Sequence, residues 1–190
     1  IPENILKKFN AAFCCMGNEV RDTSNDSILS KSKFLIPDEL NEDLAEILQN
    51  SPFPSRTGNH LEFRTGMLNF SIVGRNANKD ERKEYNSWDS QSEERKNIAS
   101  FINKKYPTLE ASIGGSISID IIEHGCDKGQ VVHALENNGA TKIVFIGDKC
   151  FPGGNDYGIV RELEKSSLAY EWYNVSGIED TLNLIRINKV

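Results

Sequence analysis

The stretch VFIGDKCFPGGNDYGI, Val144 to Ile159, decides the architecture. It begins as an apolar run that closes on Gly147 and is followed at once by Asp148. A Pro-Gly-Gly turn intervenes, and Asp156 comes next among the acidic residues. A short continuous apolar run of this kind reads as a buried strand, apolar enough to be central in a sheet. Ligands of open α/β sheets bind beyond the carboxyl ends of the strands, which is where Asp148 stands. Asp156 arrives at the same edge at the start of a helix, where its charge suits the helix dipole. A carboxylate partly withdrawn from water has to be paired or hold a cation. Two such groups make a hard oxygen site that suits Mg²⁺. The same two residues also suit turn and N-cap roles, common for Gly-Asp and Asn-Asp pairs. Spacing alone leaves both readings open.

Outward from this stretch, the second half of the chain alternates helices with apolar strands. DKGQVVHALENNGATKIVFIGD predicts a helix closed by Gly139 and then the strand just described. GNDYGIVRELEKS predicts a helix, LAYEWYNV a strand and GIEDTLNLIRINK a last helix. That alternation argues for a parallel sheet with helices on its faces.

The first half has a different texture. Pro2 to Phe9 reads as the end of a helix, and Ala11 to Val20 as a short strand with a turn around Gly17-Asn18. RDTSNDSILSKSK reads as a polar connection. Pro37 opens a helix with Leu40, Leu44, Ile47 and Leu48 on one stripe. HLEFRTGMLNFSIVGR predicts a hairpin with one buried face, carrying Leu61, Phe63, Leu68, Phe70 and Ile72. The charged stretch after it is helical in its second half, with Ile98, Phe101 and Ile102 inward. In GGSISIDII, Ile117, Ile119 and Ile121 point one way, and Ser116, Ser118 and Asp120 the other. The expected division is a partial core at 1–29, an antiparallel α+β insertion at 30–122 and an α/β core at 123–190.

Composition narrows the function classes. With 38% hydrophobic and 26% charged residues the chain reads as an ordinary globular protein rather than a disordered one. A net charge of −6 disfavours nucleic acid or an anionic membrane as main partner, while leaving room for a local basic pocket. No apolar run approaches the roughly 20 residues of a membrane span. The opening residues lack the order of a signal peptide, so a cytoplasmic location is expected, with further residues upstream of Ile1. Cys14, Cys15, Cys126 and Cys150 have no zinc or redox spacing and read as reduced thiols. His60, His124 and His133 form no ligand cluster in sequence. The glycosylation-type triplets at Asn25, Asn69 and Asn174 read as chance matches.

FIGDKCFPGGNDYGI resembles the acidic motif of the eukaryotic-type phosphomannomutases of the haloacid dehalogenase superfamily. EFRTGMLNFSIVGRNANKDER, GGSISIDI, GCDKG and EDTLNLI continue the resemblance in the family's order. It implies an α/β fold: a partial Rossmann-like haloacid dehalogenase core with an inserted antiparallel α+β cap. It further implies that Asp148 and Asp156 bind Mg²⁺, with Asn155 completing that motif, and that Lys128 neutralises the phosphoryl group and the nucleophile. Arg64, Arg75 and Arg82 would grip the sugar's distal phosphate, and Ser118 and Asp120 that phosphate or the sugar hydroxyls. Guanidinium forks suit a phosphate dianion; each arginine alone is more often a surface ion pair, and three on one layer shift the balance toward an anion site. The implied partners are mannose 1-phosphate, mannose 6-phosphate and hexose 1,6-bisphosphate, in the mannose metabolism that leads to GDP-mannose, with a homodimer formed through the cap.

The superfamily's aspartate nucleophile lies in an Asp-x-Asp-x-Thr motif, and no stretch here fits that pattern. The chain thus reads as a phosphomannomutase without its first strand, first helix and catalytic loop, inactive alone and with a sheet edge that a neighbouring chain or a rearrangement covers. The alternatives are a sugar phosphatase of the same superfamily, which needs no second phosphate grip, and a non-catalytic sugar-phosphate-binding remnant.

Overall fold

A computed structural model describes residues 3–187. Pro2, at the start of the expected first helix, and Asn188 and Lys189, at the end of the expected last one, lie outside the described residues. The chain divides into two compact units, residues 1–124 and 125–190.

The first unit opens with α1 (Glu3–Leu6) and a three-stranded antiparallel sheet, β1 (Ala11–Cys14), β2 (Glu19–Asp22) and β3 (Ile28–Lys31), in that order. β3 lies inside the stretch expected to be a polar connection. All four of its residues are exposed, so no buried face marks it in the sequence. The larger body of this unit comprises α2 (Asp38–Asn50), β4 (Leu61–Arg64), β5 (Met67–Phe70), α3 (Lys79–Ser92), α4 (Glu94–Lys105), β6 (Leu109–Gly114) and β7 (Ser118–Glu123). Its sheet has the order β4-β5-β7-β6, antiparallel throughout.

Strand period and register give this sheet two unlike faces. Leu68 pairs with Ile121 and Phe70 with Ile119, and Ala111 pairs with Ile121 from the other side. These side chains share one face and pack with Leu40 and Leu44 of α2, Tyr85 of α3, and Ile98 and Ile102 of α4. On the opposite face, Glu62 pairs with Asn69, and Asn69 with Asp120. The hairpin was expected to bury one face. β5 is instead buried along its whole length, because it lies between β4 and β7 and its polar face is covered as well. Phe63, expected inward, is 63% exposed on the edge strand β4, and Phe101 is 43% exposed on α4.

The charged segment before α4 is helical too. Asn78 begins α3 with a full capping box: its side chain accepts from the N–H groups of Asp80 and Glu81, and Glu81 returns a bond to the Asn78 N–H. Cap and tertiary contacts offset the weak apolar content of α3. Between β5 and α3 the chain is held tightly. Gly74 has φ +94°, and a Cβ there would lie 2.2 Å from the Gly58 carbonyl oxygen. The next N–H, that of Arg75, donates to the Asn59 carbonyl at 3.0 Å.

The second unit contains α5 (Gln130–Asn137), β8 (Lys142–Gly147), α6 (Tyr157–Lys165), β9 (Ala169–Asn174) and α7 (Ile178–Arg186). β8 and β9 pair in parallel, from Lys142↔Ala169 to Gly147↔Asn174. Val132, Ile143, Ile159 and Leu163 form the core, with Leu135, Phe145 and Leu168 packed against it. β8 was expected to be central. Among the described residues it has one neighbour, β9, and Val144 is 36% exposed. No described helix is long and apolar enough to cross a membrane.

The contact of α2 with the sheet gives a stability prediction. Leu44 is fully buried in the core of the first unit. Leu44→Ala should lower that unit's unfolding free energy by about 2–5 kcal/mol, read as a fall in the urea midpoint.

Candidate functional site

The acidic stretch folds back on itself at the carboxyl end of β8. Asp156 is 7% exposed and stands immediately before α6. Its side chain makes no capping bond to the helix. One oxygen, Oδ1, accepts from Lys128 Nζ at 2.6 Å. The other, Oδ2, accepts from the backbone N–H groups of Asp148 and Lys149, each at 3.1 Å. The carboxylate therefore ties the turn before α5 to the end of β8. A Cβ at Gly147 would lie 2.8 Å from Phe145 Cζ and 2.9 Å from Asp156 Oδ2, so a side chain there would force these groups to shift. Burial pushes the Asp156 carboxyl up. The Lys128 ammonium, the Lys149 N–H and the Asp148 group outweigh burial and hold it below the ordinary carboxylate range.

Lys128 is set in place by its own neighbours. Asp127 accepts from the Gly129 N–H at 2.8 Å and from Arg161 Nη2 on α6 at 2.9 Å. Asp148 and Asn155 are exposed. Asp148 and Asp156 lie in a cleft of about 430 Å³ with apolar walls from Ile146, Val175, Ile178 and Leu182 and a hydroxyl from Thr181. Among the described residues, no group of three or more His, Cys, Asp or Glu side chains gathers to hold a metal. Two carboxylates in one cleft still fit Mg²⁺, which commonly takes one or two protein carboxylates and completes its shell with water and substrate oxygens. Asp156 already accepts three hydrogen bonds, which leaves Asp148 as the carboxylate with more acceptor capacity to offer a cation.

The second group of expected site residues lies on the polar face of the four-stranded sheet. Arg64 Nη2 donates to Glu62 Oε2 at 2.8 Å, and Arg75 Nε donates to the same oxygen at 2.9 Å. Arg75 Nη1 also donates to Ser118 Oγ at 3.2 Å. Asp120 Oδ1 accepts from Asn69 Nδ2 at 2.5 Å. Ser118 is 2% and Asp120 9% exposed. Arg82 contacts backbone: its Nε donates to the Ala77 carbonyl and its Nη2 to the Arg75 carbonyl, both at 2.7 Å. It fixes the chain that carries Arg75 and keeps Nη1 outside these two bonds.

Arg64 and Arg75 thus meet on one carboxylate in the first unit, with Ser118 bonded to Arg75, and Lys128, Asp148 and Asp156 come together in the second. Sequence reasoning passed over three residues at these places. Glu62 stands two before Arg64, and that spacing puts both on one strand face. Asn69 also lies on that face, and its pairing with Asp120 needs the strand order. Asp127 directly precedes Lys128, but its bond to Arg161 of α6 joins residues 34 apart and has no local signal.

A family model for eukaryotic phosphomannomutase matches residues 2–187. Phosphomannomutase of Saccharomyces cerevisiae is 34% identical over 165 residues, covering 82% of this chain and 64% of that protein. Phosphomannomutase 1 of Dictyostelium discoideum is 31% identical over 193 residues, covering 96% of this chain and 74% of that protein. The chain thus spans about two thirds of the length of the yeast relative. Among solved structures, a haloacid dehalogenase-like hydrolase from Bacteroides thetaiotaomicron superposes with a TM-score of 0.53 at 13% identity, over 94% of this chain and 78% of that one. That likeness is one of fold.

The Lys128–Asp156 contact predicts a pH-dependent stability difference. A carboxyl whose folded pKa is depressed adds stability above its unfolded pKa and loses it as pH falls through the folded value. Lys128→Met raises the folded pKa of Asp156 relative to wild type. At neutral pH this variant should unfold about 1–3 kcal/mol more easily. The gap should shrink as pH falls below about 4. Urea unfolding across that range, followed by Trp172 fluorescence with Trp88→Phe in both proteins, reads it directly.

Proposed function

Since this chain belongs to the eukaryotic phosphomannomutase family, we propose that it serves the interconversion of mannose 6-phosphate and mannose 1-phosphate through a phospho-aspartyl enzyme and a hexose 1,6-bisphosphate. In this reading 1–29 and 123–190 belong to the core and 30–122 to the inserted cap. The protein is cytoplasmic, dimerises through the cap and feeds GDP-mannose synthesis.

The observation that carries the reading is the Lys128–Asp156 contact at the end of β8, 2.6 Å long and set beside Asp148. It fixes an ammonium next to a carboxylate where a phosphoryl group would sit. Lys128 offsets charge between that group and the carboxylate nucleophile. Mg²⁺ held by Asp148, with Asp156 behind it, would supply further positive charge against the phosphoryl oxygens. Asn155 supports the rim of the same site. Arg64 and Arg75 grip the distal phosphate, Arg82 holds the backbone of Arg75, and Ser118 and Asp120 meet the phosphate or the sugar hydroxyls. Turning the bisphosphate presents either end to the acidic cleft, and exclusion of water keeps the phosphoryl group from hydrolysis. The gathered arginine pair favours this over the phosphatase reading, since a hydrolase needs no second phosphate grip. No Asp-x-Asp pair occurs in these 190 residues, so the aspartate that accepts phosphate is not among them.

Calorimetry with mannose 1-phosphate tests the proposal. The 190-residue chain should bind it, and Arg64→Ala combined with Arg75→Ala should weaken binding at least tenfold, on the order of what two charge-assisted hydrogen bonds supply. Unchanged affinity would remove the phosphate grip. In the same samples no conversion of mannose 1-phosphate is expected, and measurable turnover would refute the assignment of the nucleophile outside these residues.

A further inference from the structure

Glu62 presents a puzzle at a site read as an anion grip. A carboxylate stands between the two guanidiniums that would hold a phosphate, and its Oε2 accepts from both, at 2.8 Å from Arg64 Nη2 and 2.9 Å from Arg75 Nε. All three side chains are about two-thirds buried, with exposures of 35% for Glu62, 31% for Arg64 and 28% for Arg75. The hydrogen bond from Arg64, together with the Arg75 charge, holds the Glu62 carboxyl below the ordinary range despite its burial. It is therefore an anion at neutral pH.

Two effects of opposite sign follow. A resident negative charge repels an incoming dianion. It also cancels the repulsion between two cations and fixes two long side chains that would otherwise splay. Water reaching the exposed third of these side chains screens part of the first effect. The second is worth about two- to tenfold in affinity for each arginine that need not be ordered by the ligand. The bonds made to Glu62 and Ser118 leave Arg64 Nη1 and Arg75 Nη2 outside them, so holding the pair does not exhaust its donors.

We propose that Glu62 is the positioning residue of the arginine pair, its Oε2 clasping Arg64 and Arg75 side by side so that both meet one phosphate monoester dianion. This rests on the reading of that pair as the distal phosphate grip. Glu62 does not touch the ligand; it acts through the two arginines.

Calorimetric titration with mannose 1-phosphate at fixed salt separates the cases. Glu62→Ala should weaken binding about tenfold. Glu62→Gln, which restores an acceptor oxygen, should recover at least half of that loss on a logarithmic scale. In the Arg64→Ala, Arg75→Ala background, Glu62→Ala should change affinity less than twofold, because nothing remains for it to position. Unchanged or tighter binding by Glu62→Ala overturns the inference and identifies the carboxylate as a repelling group. An undiminished loss in the double-arginine background also overturns it, since Glu62 would then act on the ligand or on general packing. If the two arginine substitutions alone leave binding untouched, the phosphate-grip reading fails and the inference with it. Should Glu62→Ala not fold, the Nε–H relaxation of Arg75 in the unliganded wild-type chain carries the test: a rigid tip is expected, and a mobile one overturns the clasp.

Discussion

A buried carboxylate needs donors, and much of the second unit is arranged around supplying them to Asp156. The three donors come from two separate places, the ammonium before α5 and two consecutive amides at the end of β8. None comes from α6, the helix that Asp156 precedes. A local cap would have left Lys128 and the strand end unconnected. Because the carboxylate reaches back instead, α5, β8 and α6 converge on one point, and the cleft that opens there inherits a fixed charge pattern. Asp127 repeats the device one turn away, joining the start of α5 to Arg161 of α6.

The first unit solves a related problem with a sheet. One face meets three helices through aliphatic and aromatic side chains, and that burial supplies its stability. The other face is polar and still largely buried, which is tolerated because its groups bond one another: Asn69 to Asp120, Ser71 to the Ile117 carbonyl, Arg75 to Ser118 and Glu62. Such a face is held in one arrangement, since these side chains already bond one another. The Asn69 amide oxygen is the described exception on this sheet, buried with no hydrogen-bond partner.

Much of this was legible in the sequence, and the failures have physical causes. The stripe of Leu40 and Leu44 and the order α5-β8-α6-β9-α7 follow from periodicity and turn residues, which are local signals. The α/β fold and the family followed from motifs that carry such signals too. What could not be read is what depends on neighbours. β3 is exposed along its length, so nothing in it alternates. The inward facing of Phe63 requires a helix over the edge strand, and the extent of the helical cover is not written near Phe63. The choice between cap and tether for Asp156 is made by Lys128, which lies 28 residues away in sequence. The clasp around Glu62 joins residues 13 apart that meet only after the chain has turned through β5.

Gly74 has one more implication. Its backbone passes the Gly58 carbonyl so closely that the 2.2 Å separation of a hypothetical Cβ is set by main chain against main chain, with no rotamer to yield. Every other amino acid carries that atom, so the position is closed to all nineteen regardless of polarity or size. Arg75 follows it directly and is anchored to the same loop through Asn59. Variation at residue 74 would therefore disturb the polar face of the sheet indirectly, leaving every ionic group intact while displacing the guanidinium of Arg75.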